Sequence, residues 1–285
     1  MEIRSNIKWL SLLALLSINI FIWVRFFSFG SGGELKVVFL DVGQGDAVFI
    51  EAPSGNQALI DGGPNDQVLR ELSQLMPFYD RSIDMIVATH PDSDHIGGLA
   101  SILKRFDSQI YLESGNKSNT LMYKSLEDAL NEDGIDRIVA KKGMIFDLGD
   151  GVFINILFPD TDASRMEPNT ASIITQIVYG ETSFLLTGDS PISIEKYITS
   201  VFGDSLKSDV LKVGHHGSKT SSSEVFIGFT APSFSIISAG KENRYGHPHQ
   251  EVLERLESFG TEIFSTAELG SIIFLSNGKR VWKEK

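Results

Sequence analysis

Cysteine is absent from all 285 residues. That excludes disulfides, thiolate zinc sites, iron–sulfur clusters and a cysteine nucleophile, so any metal must rest on histidine, carboxylate or amide ligands. Proline (9) and glycine (26) stay near the average for folded chains, which excludes collagen-like, low-complexity and wholly disordered chains. Basic charge is short: residues 35–285 hold 22 Lys and Arg against 35 Asp and Glu, a balance of −13. Such a surface repels a phosphate polymer at long range, although bound cations reverse the sign locally. No internal repeat occurs, and long apolar runs are lacking except for one at the amino terminus.

That run, Trp9 to Val24, carries no charge, and extended to Phe29 it makes 21 residues. As a helix this is about 31 Å, enough to span a bilayer. Arg4 and Lys8 precede it, so the positive-inside rule places residues 1–8 in the cytoplasm and a transmembrane anchor over 9–29. A linker at 30–34 and a single domain over 35–285 then lie outside the cell membrane. A cleaved signal peptide, leaving a secreted protein, is the rival reading: Ser28 and Gly30 are small enough, but Arg25 and two Phe interrupt the cleavage region.

Beyond Gly33, short β-branched runs alternate with amphipathic ones. Strands are expected at Leu35–Leu40, Ala47–Glu51, Gln57–Ile60, Met85–Thr89, Val152–Phe158, Ser172–Val178, Ser183–Thr187, Val210–Val213, Phe234–Ser238 and Ser271–Leu275. Helices are expected at Gln67–Leu75, Gly97–Phe106, Met122–Asn131, Ile192–Phe202, Glu224–Phe229 and Gln250–Phe259. The early strands follow one another as in hairpins, and the later ones alternate with helices. Two sheets covered by helices, an α/β (α+β) class, fit this better than one wound parallel sheet.

The densest chemistry follows the strand at Met85–Thr89. His90-Pro-Asp92-Ser-Asp94-His95-Ile-Gly97-Gly98 puts four potential ligands into six residues at a strand-to-helix turn. Alternation points 90, 92 and 94 one way and His95 another, and two glycines allow close packing where the helix starts. Helix capping accounts for one Asp, not for two His and two Asp together. Asp189 ends the apolar run Ser183–Thr187, and His215 follows Val210–Val213, each delivered by a buried strand.

These residues resemble the metallo-β-lactamase fold superfamily, whose signature is His-x-His-x-Asp-His after a strand, with Asp92 here in place of the second His. Further stretches are similar to the hydrolase domain of the ComEC/Rec2 DNA-uptake proteins: Asp41-Val-Gly-Gln-Gly-Asp46, Ile60-Asp61-Gly-Gly63, Asn169-Thr-Ala-Ser172, Thr187-Gly-Asp189, Lys212-Val-Gly-His215-His216-Gly-Ser218 and Tyr245-Gly-His247-Pro-His249. The resemblance covers residues 35–285 and implies a four-layer αββα sandwich with two divalent metal ions. By it, His90, Asp92 and Asp189 hold one metal, with Asn169 near the place of a family His. Asp94, His95, Asp189 and His215 hold the other. Asp92 and Asn169 make the first site richer in oxygen, so manganese rivals zinc and antibiotic hydrolysis is disfavoured.

Asp61 then orients a ligand His or simply caps a turn, and Gln44, between Asp41 and Asp46, sits at the pocket rim or in a hairpin turn. Ser218 opens a hydroxyl-rich turn that either donates to phosphate or is a plain loop. His247 is the chosen general acid beside the catalytic Asp94. His216 is left open as ligand or acid, His249 as a third titratable group, and Lys212 as site support or solvated. The resemblance implies a dinuclear phosphodiesterase or nuclease acting on extracellular DNA, partnered with a separate uptake channel or acting alone. A cell-surface phosphocholine esterase, another ester hydrolase of this fold, and a non-catalytic channel partner are the alternatives.

Overall fold

The computed structural model describes residues 2–28 and 33–285, and within the first helix the side chains of residues 8–21. In its first half the elements run α1 (Glu2–Ser28), β1 (Leu35–Phe39), β2 (Val48–Glu51), β3 (Gln57–Ile60), α2 (Gln67–Leu75), β4 (Met85–Ala88), α3 (Ser93–Ile96), α4 (Leu99–Leu103), β5 (Ile110–Glu113), α5 (Leu121–Asp133), β6 (Asp136–Val139) and β7 (Ile145–Gly149). There follow β8 (Val152–Phe158), β9 (Ile174–Tyr179), β10 (Thr182–Leu186), α6 (Ile192–Phe202), β11 (Val210–Lys212), α7 (Glu224–Thr230), β12 (Phe234–Ile237), α8 (Gln250–Ser258), β13 (Glu262–Ser265), α9 (Thr266–Leu269), β14 (Ile272–Ser276) and β15 (Val281–Lys283).

The strands form two mixed sheets, in the orders β15-β14-β1-β2-β3-β4-β5-β6 and β13-β12-β11-β10-β9-β8-β7. Alternation along each strand explains how they stack. On β1, Leu35, Val37 and Phe39 enter the core between the sheets, while Val38 joins the core beneath α2, α4 and α5. On β10, Phe184 and Leu186 face the inter-sheet core and Leu185 faces α6 and α7. Each sheet is therefore buried on both faces, and four layers result: helices, sheet, sheet, helices. Pairing is antiparallel at one side of each sheet and turns parallel at β3–β4 and at β10–β11. The carboxyl ends of these parallel strands open toward the loops that carry the motifs, the usual place for a ligand in such sheets.

The membrane anchor expected over 9–29 is corrected: among the described residues no helix is long and apolar enough to cross a membrane. The charge-free stretch with described side chains is Trp9 to Phe21. Its side chains stand exposed and join no core cluster. The single-pass placement with an outward-facing domain falls with the anchor. Most of the linker expected at 30–34 lies outside the described residues.

Candidate metal centre

β4 ends at Ala88, and the chain turns at His90 into α3, on which His95 is buried. Close packing fixes this turn. A side chain at Gly97 would meet the Pro64 carbonyl at 2.2 Å, and one at Gly45, where φ is +146°, would meet the Asp94 carbonyl at 2.2 Å. The Gly45 loop is thus pressed onto α3, and the Asp46 N–H donates to the Asp94 carbonyl at 3.2 Å. Asp189 lies just beyond β10, and His215 and His216 follow β11. Both histidines sit in the left-handed region, with φ of 50° and 55°. Non-glycine residues held there cost of order 1–3 kcal/mol each, strain that the surrounding structure must hold in place.

Asp189 is the centre of the arrangement. Its carboxylate oxygens lie 3.3 Å from His95 Nε2, 3.5 Å from His215 Nε2, 3.7 Å from His216 Nε2 and 3.9 Å from His90 Nε2. Asp94 Oδ2 is 3.4 Å from His216 Nε2 on the other side. His90, His95 and Asp189 form one group able to hold a cation, and Asp94, His95 and His216 another.

The outer hydrogen bonds fix which ring nitrogen faces inward. His95 Nδ1 donates to Asp61 Oδ2 at 2.8 Å, and His216 Nδ1 donates to the Ser238 carbonyl at 3.0 Å. Thr89 Oγ1 spends its proton on Asp61 Oδ2 at 2.7 Å, so it accepts from His90 Nδ1 at 3.0 Å. Thr220 Oγ1 likewise donates to Ser218 Oγ and accepts from His215 Nδ1, each at 3.0 Å. In the neutral rings Nε2 is therefore the unprotonated nitrogen, and all four lie within 3.9 Å of the Asp189 carboxylate. The Nε2 atoms of His90, His95 and His216 and Oδ1 of Asp189 are buried without a hydrogen-bond partner. Four orphaned donor atoms around one point match a divalent cation, so the residues fit the metal that the motif implies.

Charge follows the same geometry. Burial lowers His95 most, yet Asp189 and Asp61 together hold it well above the ordinary imidazole range. His216 is pushed up to about 9: burial opposes this, and Asp189 and Asp46 outweigh it. Burial works to raise Asp189, but His216 and His95 hold it well below the carboxylate range. His90 falls to about 3 through burial first and the neighbouring His95 second. Protons thus stand in for cations in the metal-free protein.

Not every expected residue enters this cluster. Asp92 is half exposed, with Oδ2 3.8 Å from His90 Nε2, and burial and Asp94 raise its pKa. Asn169 keeps a buried, unpartnered Oδ1, while Ser172, three residues on, contacts His90 Nδ1 at 3.3 Å and accepts from the Asp189 N–H. Asp41 accepts from the Gly43 N–H and belongs to the turn. Gln44 accepts from the Gly240 N–H at the rim, and His249 Nδ1 accepts from the Lys219 N–H. Ser218 Oγ serves Thr220 and is buried.

Lys212 is not solvated: its Nζ is buried and donates to Asp46 Oδ2 at 2.8 Å, and Asp46 Oδ1 lies 3.1 Å from His216 Nδ1. Burial, then His215 and His216, push His247 down to about 4, so its ring is neutral near pH 7, which limits the acid role expected of it. Thr89, Ser172, Thr220 and Ser238 were missed as support. Thr89, Ser172 and Thr220 each sit within five residues of a ligand motif, the one signal that pointed to them. Ser238 follows β12, and no motif marks it.

Fold and site together define a metal-dependent hydrolase, and the family model of the Metallo-beta-lactamase superfamily matches residues 40–241. The chain belongs to that superfamily, and within it to the ComEC/Rec2 type. ComE operon protein 3 of Bacillus subtilis is 35% identical over 257 residues, 84% of this chain and 33% of that protein. Recombination protein 2 of Haemophilus influenzae is 32% identical over 242 residues, 83% of this chain and 28% of that protein. The chain therefore spans about a third of the length of these relatives. The solved metallo hydrolase Igni18 of Ignicoccus hospitalis shares the fold, with a TM-score of 0.52 at 16% identity over 85% of this chain and 98% of that one.

Proposed function

We propose that the chain is a phosphodiesterase that cleaves DNA with a pair of divalent metal ions, zinc or manganese, in the service of DNA uptake. The carrying observation is the ring of orphaned Nε2 atoms around one buried carboxylate, Asp189, with a second carboxylate, Asp94, across His216. Four imidazole nitrogens within 3.9 Å of Asp189, with Asp94 as a second carboxylate beside His216, supply enough donors for two ions. When bound, such a pair supplies Lewis acidity, an acidified water and a clamp on the oxygens of an in-line displacement, chemistry suited to phosphodiesters.

The chain's own residues prepare that site. Asp61, Thr89, Ser172 and Ser238 hold three imidazoles with Nε2 turned inward, so loading needs loss of protons but no turning of the rings. Gln44 ties the Gly-Gln-Gly loop to Gly240 and lines the mouth beside Asp94. The name of one relative, Recombination protein 2, favours DNA over other diesters.

Asp189→Ala tests the reading. Metal content should fall, and turnover of DNA and of bis(p-nitrophenyl) phosphate should drop by more than the ~10–100-fold cost of losing an outer partner of a ligand. Wild-type turnover in that variant refutes the shared-carboxylate site. Cleavage of p-nitrophenyl phosphorylcholine but not DNA by the unaltered chain moves the protein to an esterase.

A further inference from the structure

A cavity of about 420 Å³ opens beside the cluster, lined by Gln44, Pro64, Ser93 and Asp94 on one side and Glu242 to Tyr245 on the other. That volume falls in the ~300–1,000 Å³ range of ligand sites. Asp94 belongs to both the cavity wall and the cluster, so the cavity leads from the reacting position outward. Its far wall carries the one guanidinium there, Arg244.

The guanidinium is held but not neutralised. It donates to Tyr245 Oη at 2.7 Å and lies over the Tyr245 ring, 4.9 Å from the centroid. The other face of the arrangement is braced, since Tyr245 stacks on His247 at 5.6 Å with ring planes 20° apart. Asn243 ties the loop together: it accepts from the N–H groups of Tyr245 and His247 and donates to the carbonyls of Gly240 and His247. Among the described residues Arg244 makes no ion pair, unlike Arg137, which is clamped between Glu113 and Glu127. A preorganised, exposed fork with donors to spare is the group that takes a phosphate bidentately, and it sits on a domain whose net charge otherwise repels phosphate.

We infer that Arg244 binds the phosphate next to the one that reacts, so the site selects a polynucleotide over an isolated diester. This rests on the phosphodiesterase reading, and the test separates the two. Binding of a labelled single-stranded oligonucleotide to the full chain is measured by fluorescence anisotropy in EDTA over a salt series, in the wild type, Arg244→Ala and Arg244→Lys. One lost phosphate contact on a single strand lowers the slope of log K against log salt by about 0.7. Arg244→Ala should show that drop with affinity weakened about five- to tenfold. Arg244→Lys should keep the slope and lose part of the affinity.

With metal restored, Arg244→Ala should raise KM for the oligonucleotide and leave hydrolysis of bis(p-nitrophenyl) phosphate unchanged. An unchanged slope and affinity in Arg244→Ala overturns the inference, as does an equal loss on both substrates. Failure of the wild type to cleave either substrate overturns the phosphodiesterase reading instead, while the binding series still decides whether Arg244 holds a phosphate.

Discussion

At the scale of residues, the ligand types were legible and their supports were not. Six residues from His90 to His95 carry four ligand candidates, a density that needs no fold to be noticed. Thr89 and Ser172 are common residues, and their value lies in one hydrogen bond each to His90 Nδ1, which only the fold creates. Asp61 was left between ligand support and turn cap, and its carboxylate goes to support, accepting from Thr89 and from His95. Asp61→Asn should therefore reduce metal affinity by ~10–100-fold while leaving the metal-free fold in place. Competition with a chromophoric chelator reads the affinity, and unchanged competition removes Asp61 from that role. The raised pKa values make a second prediction. His216 titrates at about 9 and His95 is also raised, so both are protonated at pH 7 in the metal-free protein. For a raised imidazole the stabilisation is full below the unfolded value of about 6.5 and is lost as pH rises through about 9. Metal binding runs the opposite way, because it needs the neutral rings. Calorimetry in buffers of differing ionisation enthalpy should show proton release at pH 7 and affinity rising toward pH 9; binding without proton release contradicts the assignment.

Elements divide by how deeply they are buried. Strands that are mostly apolar, such as β3 and β8, were expected within their observed bounds, because such a segment has few other ways to be buried. The missed strands β5, β6, β7, β13 and β15 are mostly toward sheet edges, where Asp136, Asp147 and Glu262 break the pattern and exposed positions need no hydrophobe. The helix expected over Gly97–Phe106 is the shorter α4, and α3 before it was not expected; Gly97 and Gly98, which pack closely on Pro64 and Gly62, separate the two. The hydroxyl-rich turn after His216 is not a free loop either. Glu195, buried on α6, accepts from the N–H groups of Ser222 and Ser223, and Ser221 Oγ donates to the Ser190 carbonyl. This ties the ligand-bearing turn to α6. Glu195→Gln keeps one acceptor oxygen and loses the other, which should cost ~1–3 kcal/mol in urea unfolding. A loss below a few tenths of that refutes the tie.

For the whole molecule, one aromatic cluster decides whether the two sheets stay in register and hence whether the ligands from each meet. Phe274 on β14 contacts Phe39 of its own sheet at 6.2 Å between centroids, and Phe184, Phe234 and Phe264 of the opposite sheet at 6.5, 5.2 and 6.0 Å. His90 and His95 hang from the first sheet, Asp189 and His216 from the second, so the cluster and the metal centre are two bridges across one gap. A stacked pair of sheets was expected from the order of strands and helices, but which phenylalanines join them was not readable, since all 19 look alike in sequence. Phe274→Ala removes a fully buried ring at the crossing of both sheets and should cost ~3–5 kcal/mol, the range for emptying such a site. Because metal binds only the assembled pair of sheets, saturating metal should restore part of that loss, by about 2.7 kcal/mol at a hundredfold excess over Kd. The check is a pair of urea melts with and without metal on wild type and Phe274→Ala. If metal stabilises neither chain, the two sheets do not share the centre, and the ligands drawn from both cannot form one site.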